Sequence, residues 1–402
     1  MRYSGARLSS LEAPPSTAPP ASVSLTERLA LQVMRSRPAI AAVAPADDPV
    51  HLLNADERRA LLRIERAAVF RAALAGALSA LASATASVVA NLSHPTDGAN
   101  VSLHNLVTYW GWVGAVTLVA SAFEIGFLYW DALRAVHQMA CAAGLQIGSA
   151  NANARDAEVV LALARAALEL PNPLKPLAEI DPQRESNRLL VVTASLIYKA
   201  KVALTTFVTK ALLRSALGRA AARAVLDFVA VPVTAVWNAA VCYSILREAR
   251  LRILGPSAVV ELIQEGSRGV AVSRAGWLVA QRAVASAVVR SRDFHPNHLA
   301  VIQALNRGLP LSEVPDADDT LRFIREIAAL DKANQTFVLH VLVMAAVLDG
   351  RLTRAERRLL AQAFAACHRR LDMKRIRYVV ATFRAGQPMT DAVESTVGDH
   401  CL

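Results

Sequence analysis

The stretch NLVTYWGWVGAVTLVASAFEIGFLYWDALR, residues 105–134, decides how this chain is read. Residues 106–123 are 18 positions without a charge, and Glu124 follows them. A helix rises 1.5 Å per residue, so about 20 apolar residues cross the roughly 30 Å hydrocarbon core of a bilayer. Tyr109, Trp110 and Trp112 stand at one end and Tyr129 and Trp130 at the other, where amphipathic rings favour the two interfaces. The stretch reads as a membrane span over 106–130.

The segment before it supports that reading. Residues 72–91, AALAGALSALASATASVVAN, also lack a charge. The connector LSHPTDGANVSLH contains no Lys or Arg, whereas Arg58, Arg59, Arg63, Arg66 and Arg71 precede the first span. Basic residues concentrate on the cytoplasmic side of membrane proteins, so residues 54–137 are expected to form a two-span hairpin with both ends in the cytoplasm. Ala72, Gly76, Ala80 and Ala84 recur every fourth residue, as do Gly111 and Ala115. Such rows let helices approach closely in lipid, where the hydrophobic effect supplies no net attraction between them.

Glu124 lies roughly 27 Å along the helix from residue 106, near the inner boundary of the hydrocarbon. A carboxylate there can reach water or an arginine, at far lower cost than at the bilayer centre. Glu124 is expected to lock the hairpin by pairing with Arg66 or Arg71, with Asp131 following on the same face. A proton relay is the competing role, and the spans carry no other ionisable group to serve it.

Composition agrees with a helical membrane protein. Hydrophobic residues make up 54% of the 402 and aromatics only 5%, so the core must be aliphatic and finely packed, which suits helices. The net charge of +11 calls for anionic neighbours, and anionic lipid headgroups at a cytoplasmic surface meet that need. The arginines are spread along helices and form no nucleic-acid-binding motif, so nucleic acid is not an expected partner. Cys141, Cys242, Cys367 and Cys401 are far apart without a CxxC pair, which fits free thiols in a reducing compartment.

The remaining organisation follows in order. Residues 1–50, with EAPPSTAPPAS, are expected to be a disordered Pro/Ala/Ser-rich leader rather than a signal peptide. Asn54 and Glu57 have capping-box spacing at the start of the first long helix. Residues 138–255 are expected to form a cytoplasmic helical domain. Within it Asp181 and Pro182 open a long helix, and the uncharged run 228–246 is read as buried or re-entrant. Arginines flank that run on both sides. Residues 256–310 follow as connecting helices, 311–388 as a helical bundle and 389–402 as a tail.

The best-formed motif lies in the bundle. In LHVLVMAAVLDGRLTRAERRLLAQAF an apolar helix ends at Asp349-Gly350, where glycine takes the left-handed conformation. Thr353 and Glu356 then form a capping box for the next helix. Asp349 and Glu356 are also the candidate ligands for a divalent metal, although the alternating oxygens of an EF-hand loop are missing. In RDFHPNHLAVIQAL, Asp293, His295 and His298 are a weaker metal candidate, with Asn297 capping the helix as the simpler account. His137, His340 and His368 stand alone on helices. There is no GxSxG, GxxxxGK[ST] or GxGxxG sequence, so an enzyme is not expected.

Two resemblances add to this. The spans, the ELPNP turn, the SLIYKAKVALTTF helix and the run FVAVPVTAVWNAAVCYSILREARLRILGP resemble an uncharacterised family of bacterial membrane proteins over about residues 55–260. That likeness implies a bacterial inner membrane and no activity. Over about residues 316–386 the chain is similar to the tellurite-resistance TerB-like helical bundle, whose Ala-Asp-Gly turn and later glutamate match Asp349, Gly350 and Glu356. Leu348 replaces the alanine, and Arg351, Arg354, Arg357 and Arg358 stand where that family is acidic. The expectation is an all-α, membrane-anchored protein that acts through protein partners at its basic cytoplasmic helices. An envelope-stress or metal-ion response component is the alternative.

Overall fold

A computed structural model describes residues 53–93, 103–145, 163–164, 166–167, 222–266, 271–292, 294–306 and 308–397. These residues form ten α-helices and no strand. The long helix expected after Asp181 lies outside the described residues.

Helix α1 spans Ala55–Ser93 and α2 spans Leu103–Ala142. Both are long and apolar enough to cross a membrane. The start of α1 is set locally. Asn54 Oδ1 accepts from the Glu57 amide at 2.9 Å, and Glu57 Oε2 accepts from the Asn54 amide at 2.8 Å. This reciprocal capping box satisfies two N–H groups that a helix end otherwise leaves open.

Helix α3, Ala222–Gly266, is 45 residues long and runs through Pro232 and Pro256. It packs along α1 and touches α2. Its direction follows from two contacts. Arg250 reaches Glu65 at 2.6 Å, whereas Thr234 and Asn238 lie against Gly76. As α1 rises from 65 to 76, α3 descends from 250 to 234, so the two helices are antiparallel. Outward faces of all three helices carry exposed apolar side chains, among them Leu78, Phe123 and Val236.

The other half of α3 enters a bundle with α4 (Arg274–Ser291), α5 (Pro296–Leu305), α6 (Thr320–Ala328), α7 (Lys332–Val347), α8 (Arg354–Ala366), α9 (Met373–Ala385) and α10 (Thr390–Val397). Helix α7 is apolar on all sides, and such a helix must be central. Every residue from Phe337 to Leu348 is buried. Each large aliphatic or aromatic side chain buried there contributes about 1.5–3 kcal/mol. Trp277 of α4 meets Phe337 edge-to-face at 5.0 Å, a favoured aromatic geometry.

Three details differ from the sequence reading. Leu305, Leu309, Leu311 and Val314 are all buried in one core that also includes Leu251 and Val393, so a boundary drawn at residue 311 cuts through packed side chains. Residues 390–397, read as tail, fold back as α10. Glu261 of α3 holds its start, accepting from the Met389 and Thr390 amides and the Thr390 hydroxyl. Asn297 does not cap α5. His295 Nδ1 accepts from the Asn297 amide at 3.2 Å and serves as the cap, with Pro296 in the first turn.

Candidate functional site

Helix α3 carries a series of polar contacts that leads from the apolar half of the molecule into the bundle. The highest joins Asn238 Nδ2 to Glu124 Oε1 at 2.5 Å. Gly76 makes room for this contact: a methyl group there would lie 2.9 Å from the Thr234 carbonyl and 2.5 Å from Asn238 Nδ2. The partner of Glu124 is therefore an asparagine on a third helix and not the expected arginine. Arg66 is exposed, and Arg71 pairs instead with Asp131, at 2.9 Å. Asp131 is buried. Glu124 sits two turns beyond it, level with Asn238.

Below this level Glu65 meets Arg250, both mostly enclosed. The next contact is a triad. Glu248 Oε1 accepts from Arg252 Nη2 at 2.9 Å and lies 3.1 Å from His295 Nε2. Burial alone would push the Glu248 pKa up, but the hydrogen bond from His295 Nε2, with the charge and hydrogen bonds of Arg252, outweighs it and brings it down to about 2.

Helix α3 then grips the Asp349–Glu356 turn. Gly350 has φ +67°, the left-handed conformation that glycine adopts without strain, and Leu251 packs where a side chain would project. The Gly350 carbonyl accepts from Arg247 of α3 at 3.2 Å and from Arg384 Nε of α9 at 2.8 Å. Burial, and then the neighbouring Arg247, lowers the Arg384 pKa below the usual arginine value. Asn297 Nδ2 donates to Leu251 O at 2.9 Å and to Leu348 O at 2.7 Å. It thereby ties α3 to the carbonyl left open at the end of α7. Gly255 permits this, because any side chain there would overlap the Asn297 carboxamide.

The two candidate metal ligands have protein partners here. Asp349 Oδ1 accepts from the Arg351 amide at 2.7 Å. Glu356 Oε2 accepts from the Thr353 amide at 2.7 Å, and Thr353 Oγ1 accepts from the Glu356 amide at 3.2 Å, which completes the capping box. Arg384 lies within electrostatic reach of Asp349, with Arg247 and Arg351 also near it, and this positive charge disfavours a cation there. His295 faces Glu248, whereas His298 Nε2 faces the Ala345 carbonyl at 2.9 Å; Asp293 lies outside the described residues. Among the described residues no three His, Cys, Asp or Glu side chains converge as metal ligands.

The isolated histidines have ordinary surroundings. His137 is buried with Cys141 Sγ at 3.6 Å and His340 packs on Gly266, whereas His368, expected on a helix, is exposed in the turn just past α8 with φ +55°. Cys141, Cys242 and Cys367 are buried free thiols, and burial raises the Cys367 pKa to about 11, which leaves it unreactive at neutral pH.

Sequence reasoning missed the partners of Asn238 and Asn297, and missed Arg282 altogether. Arg282 is fully buried; it donates to the Pro315 and Asp316 carbonyls at 2.7 Å and pairs with Glu326. It is the only charged residue in AQRAVASAVV of α4, and that isolation among mostly alanines and valines is the local signal of its burial.

No family model, curated protein or solved structure matches the chain.

Proposed function

We propose that the chain is a membrane-anchored interaction protein of a bacterial inner membrane, in which α1 and α2 cross the bilayer and α3 holds the bundle at the cytoplasmic face. One observation carries this reading. Helix α3 is a single 45-residue element whose first half meets Gly76 and Glu124 while its second half grips the Gly350 turn. A bundle fixed in that way presents a constant surface to partners. Exposed apolar side chains on α1 and α2, aromatic residues at both ends of the apolar stretch 106–130, and arginines confined to the bundle end of α1 all support insertion.

The partner-facing surface is basic. Arg354 and Arg358 are exposed one turn apart at the start of α8, and Arg351 is exposed in the turn before it, so an acidic protein surface is the partner class that fits them. Full-length protein cross-linked in native membranes tests this. It should stay in the membrane pellet through an alkaline carbonate wash and retain a stoichiometric partner. That partner should be lost when Arg351, Arg354 and Arg358 are replaced by glutamate. Release into the wash would overturn the anchor, and retention by the triple variant would overturn the assigned surface. A bound divalent cation lost in Asp349→Asn would replace the reading with metal-ion response.

A further inference from the structure

We infer that residues 228–246 of α3 are a third membrane-embedded segment, whose outward face meets the hydrocarbon of the bilayer. The inference rests on the membrane reading of α1 and α2. It extends that reading to a helix whose basic flanks point the other way in the sequence.

Height is the first argument. Asn238 touches Gly76 and Glu124, which fixes one common level for the three helices. From Asn238, Phe228 lies about 15 Å toward the α1–α2 loop and Leu246 about 12 Å toward the bundle. On α1, the uncharged run 72–91 extends from about 6 Å on the bundle side of Gly76 to about 22 Å on the other. The two apolar runs therefore share about 20 Å of the same slab. If α1 is in lipid at that height, α3 is beside it.

The outward face is the second argument. Asn238, Cys242 and Leu246 are buried at four-residue spacing and turn toward α1 and α2. Val233, Val236 and Tyr243 lie on the opposite side and are exposed, Val236 by 70%. No charge occurs on that face between 228 and 246. It continues the exposed apolar surface of α1 and α2, so the occupant that covers those helices covers it too.

Polar satisfaction is the third. A polar group in hydrocarbon must turn inward and find a partner. Asn238, 8% exposed, does so with Glu124.

Direction then has a consequence. Both α2 and α3 run toward the bundle, so Ala142 and Ala222 lie at opposite ends of the apolar slab. Ala222 stands about 24 Å above the common level, as Leu92 does on α1. Arg223, five residues before Phe228, stands at that outer end against the positive-inside tendency, so the side on which position 222 lies is the sharpest test of the inference.

Single cysteines in a background with the four native cysteines replaced by serine test the inference. A membrane-impermeant maleimide is applied to sealed vesicles of both orientations, with the full chain carrying Leu92→Cys, Ala222→Cys, Val236→Cys or Arg354→Cys. Positions 92 and 222 should react from one face and 354 from the other. Position 236 should resist the reagent from both faces and react at least tenfold faster once detergent is added. Reaction of 222 from the face of 354, or of 236 as fast as 354 before detergent, overturns the inference while 92 still upholds the hairpin. Reaction of 92 from the face of 354 overturns the hairpin reading itself, and the third segment with it.

Discussion

Replacing Gly255 by alanine tests the joint between α3 and the bundle. In an exposed helix interior the change stabilises by about 1 kcal/mol, because alanine is the better helix former. Here the added methyl overlaps the Asn297 carboxamide, which must leave its position. Its bonds to Leu251 O and Leu348 O are then broken, and the Leu348 carbonyl at the end of α7 loses its partner. A buried polar group left unsatisfied costs about 1–3 kcal/mol. Counting the carbonyl and the displaced amide against the propensity gain, Gly255→Ala should destabilise by about 1–5 kcal/mol. The second arm of a double-mutant cycle sharpens this. Asn297→Ala alone should also destabilise by about 1–4 kcal/mol, but it vacates the space beside Gly255. In that background Gly255→Ala should be neutral or stabilise by up to about 1 kcal/mol. Denaturant unfolding of the full chain in detergent, followed by circular dichroism, reads both numbers. Equal effects of Gly255→Ala in the two backgrounds would refute the reasoning.

Other substitutions probe neighbouring contacts. Because the Glu248 pKa falls from the usual 4.5 to about 2, its contribution is present in full above pH 4.5 and is lost as pH falls toward 2. The gap corresponds to about 3 kcal/mol at neutral pH, so wild type should lose stability between pH 5 and 3 faster than Glu248→Gln, as unfolding midpoints at each pH will read. Gly350→Ala should cost more than 1 kcal/mol, since it combines a left-handed backbone with an overlap on Leu251. Thr353→Ala should cost about 0.5–2 kcal/mol through the lost cap, and neither effect should change with calcium, zinc or chelator in thermal melts. Glu124→Gln should keep the bond to Asn238 and shift the melting temperature little, whereas Glu124→Ala should destabilise by about 1–3 kcal/mol by stranding the asparagine amide.

What the sequence disclosed was local. The Asn54/Glu57 and Thr353/Glu356 boxes and the left-handed Gly350 each rest on residues within a few positions, and spacing alone reveals such patterns. The helical class and the two long apolar helices were legible from periodicity and run length. The partners of the polar residues were not. Asn238 finds Glu124, and Asn297 finds Leu251 and Leu348, across long stretches of chain, and a local pattern carries no information about which helices meet. Asn297 was given the cap because capping is the local use of asparagine; His295 took that role because Pro296 opens the helix after it. Helix α10 has only two turns, too short for its Ala392, Val393, Thr396 and Val397 face to show a period. Arg71 and Asp131 were both marked for the inner boundary, and they found each other.

The central claim is that α3 packs into the α1–α2 hairpin at the level of Gly76 and Asn238, and cysteine trapping at that level tests it most directly. An ideal Cβ at Gly76 lies 3.0 Å from Asn238 Cγ, so the two Cβ atoms can meet within the roughly 3.5–4.5 Å a disulfide needs. In the cysteine-free background and native membranes, Gly76→Cys with Asn238→Cys should form a cross-linked peptide on mild oxidation. Gly76→Cys with Val236→Cys should not, because Val236 faces the other way. A 76–238 link formed alone is the predicted result; no link, or equal linking at 236 and 238, would contradict the account.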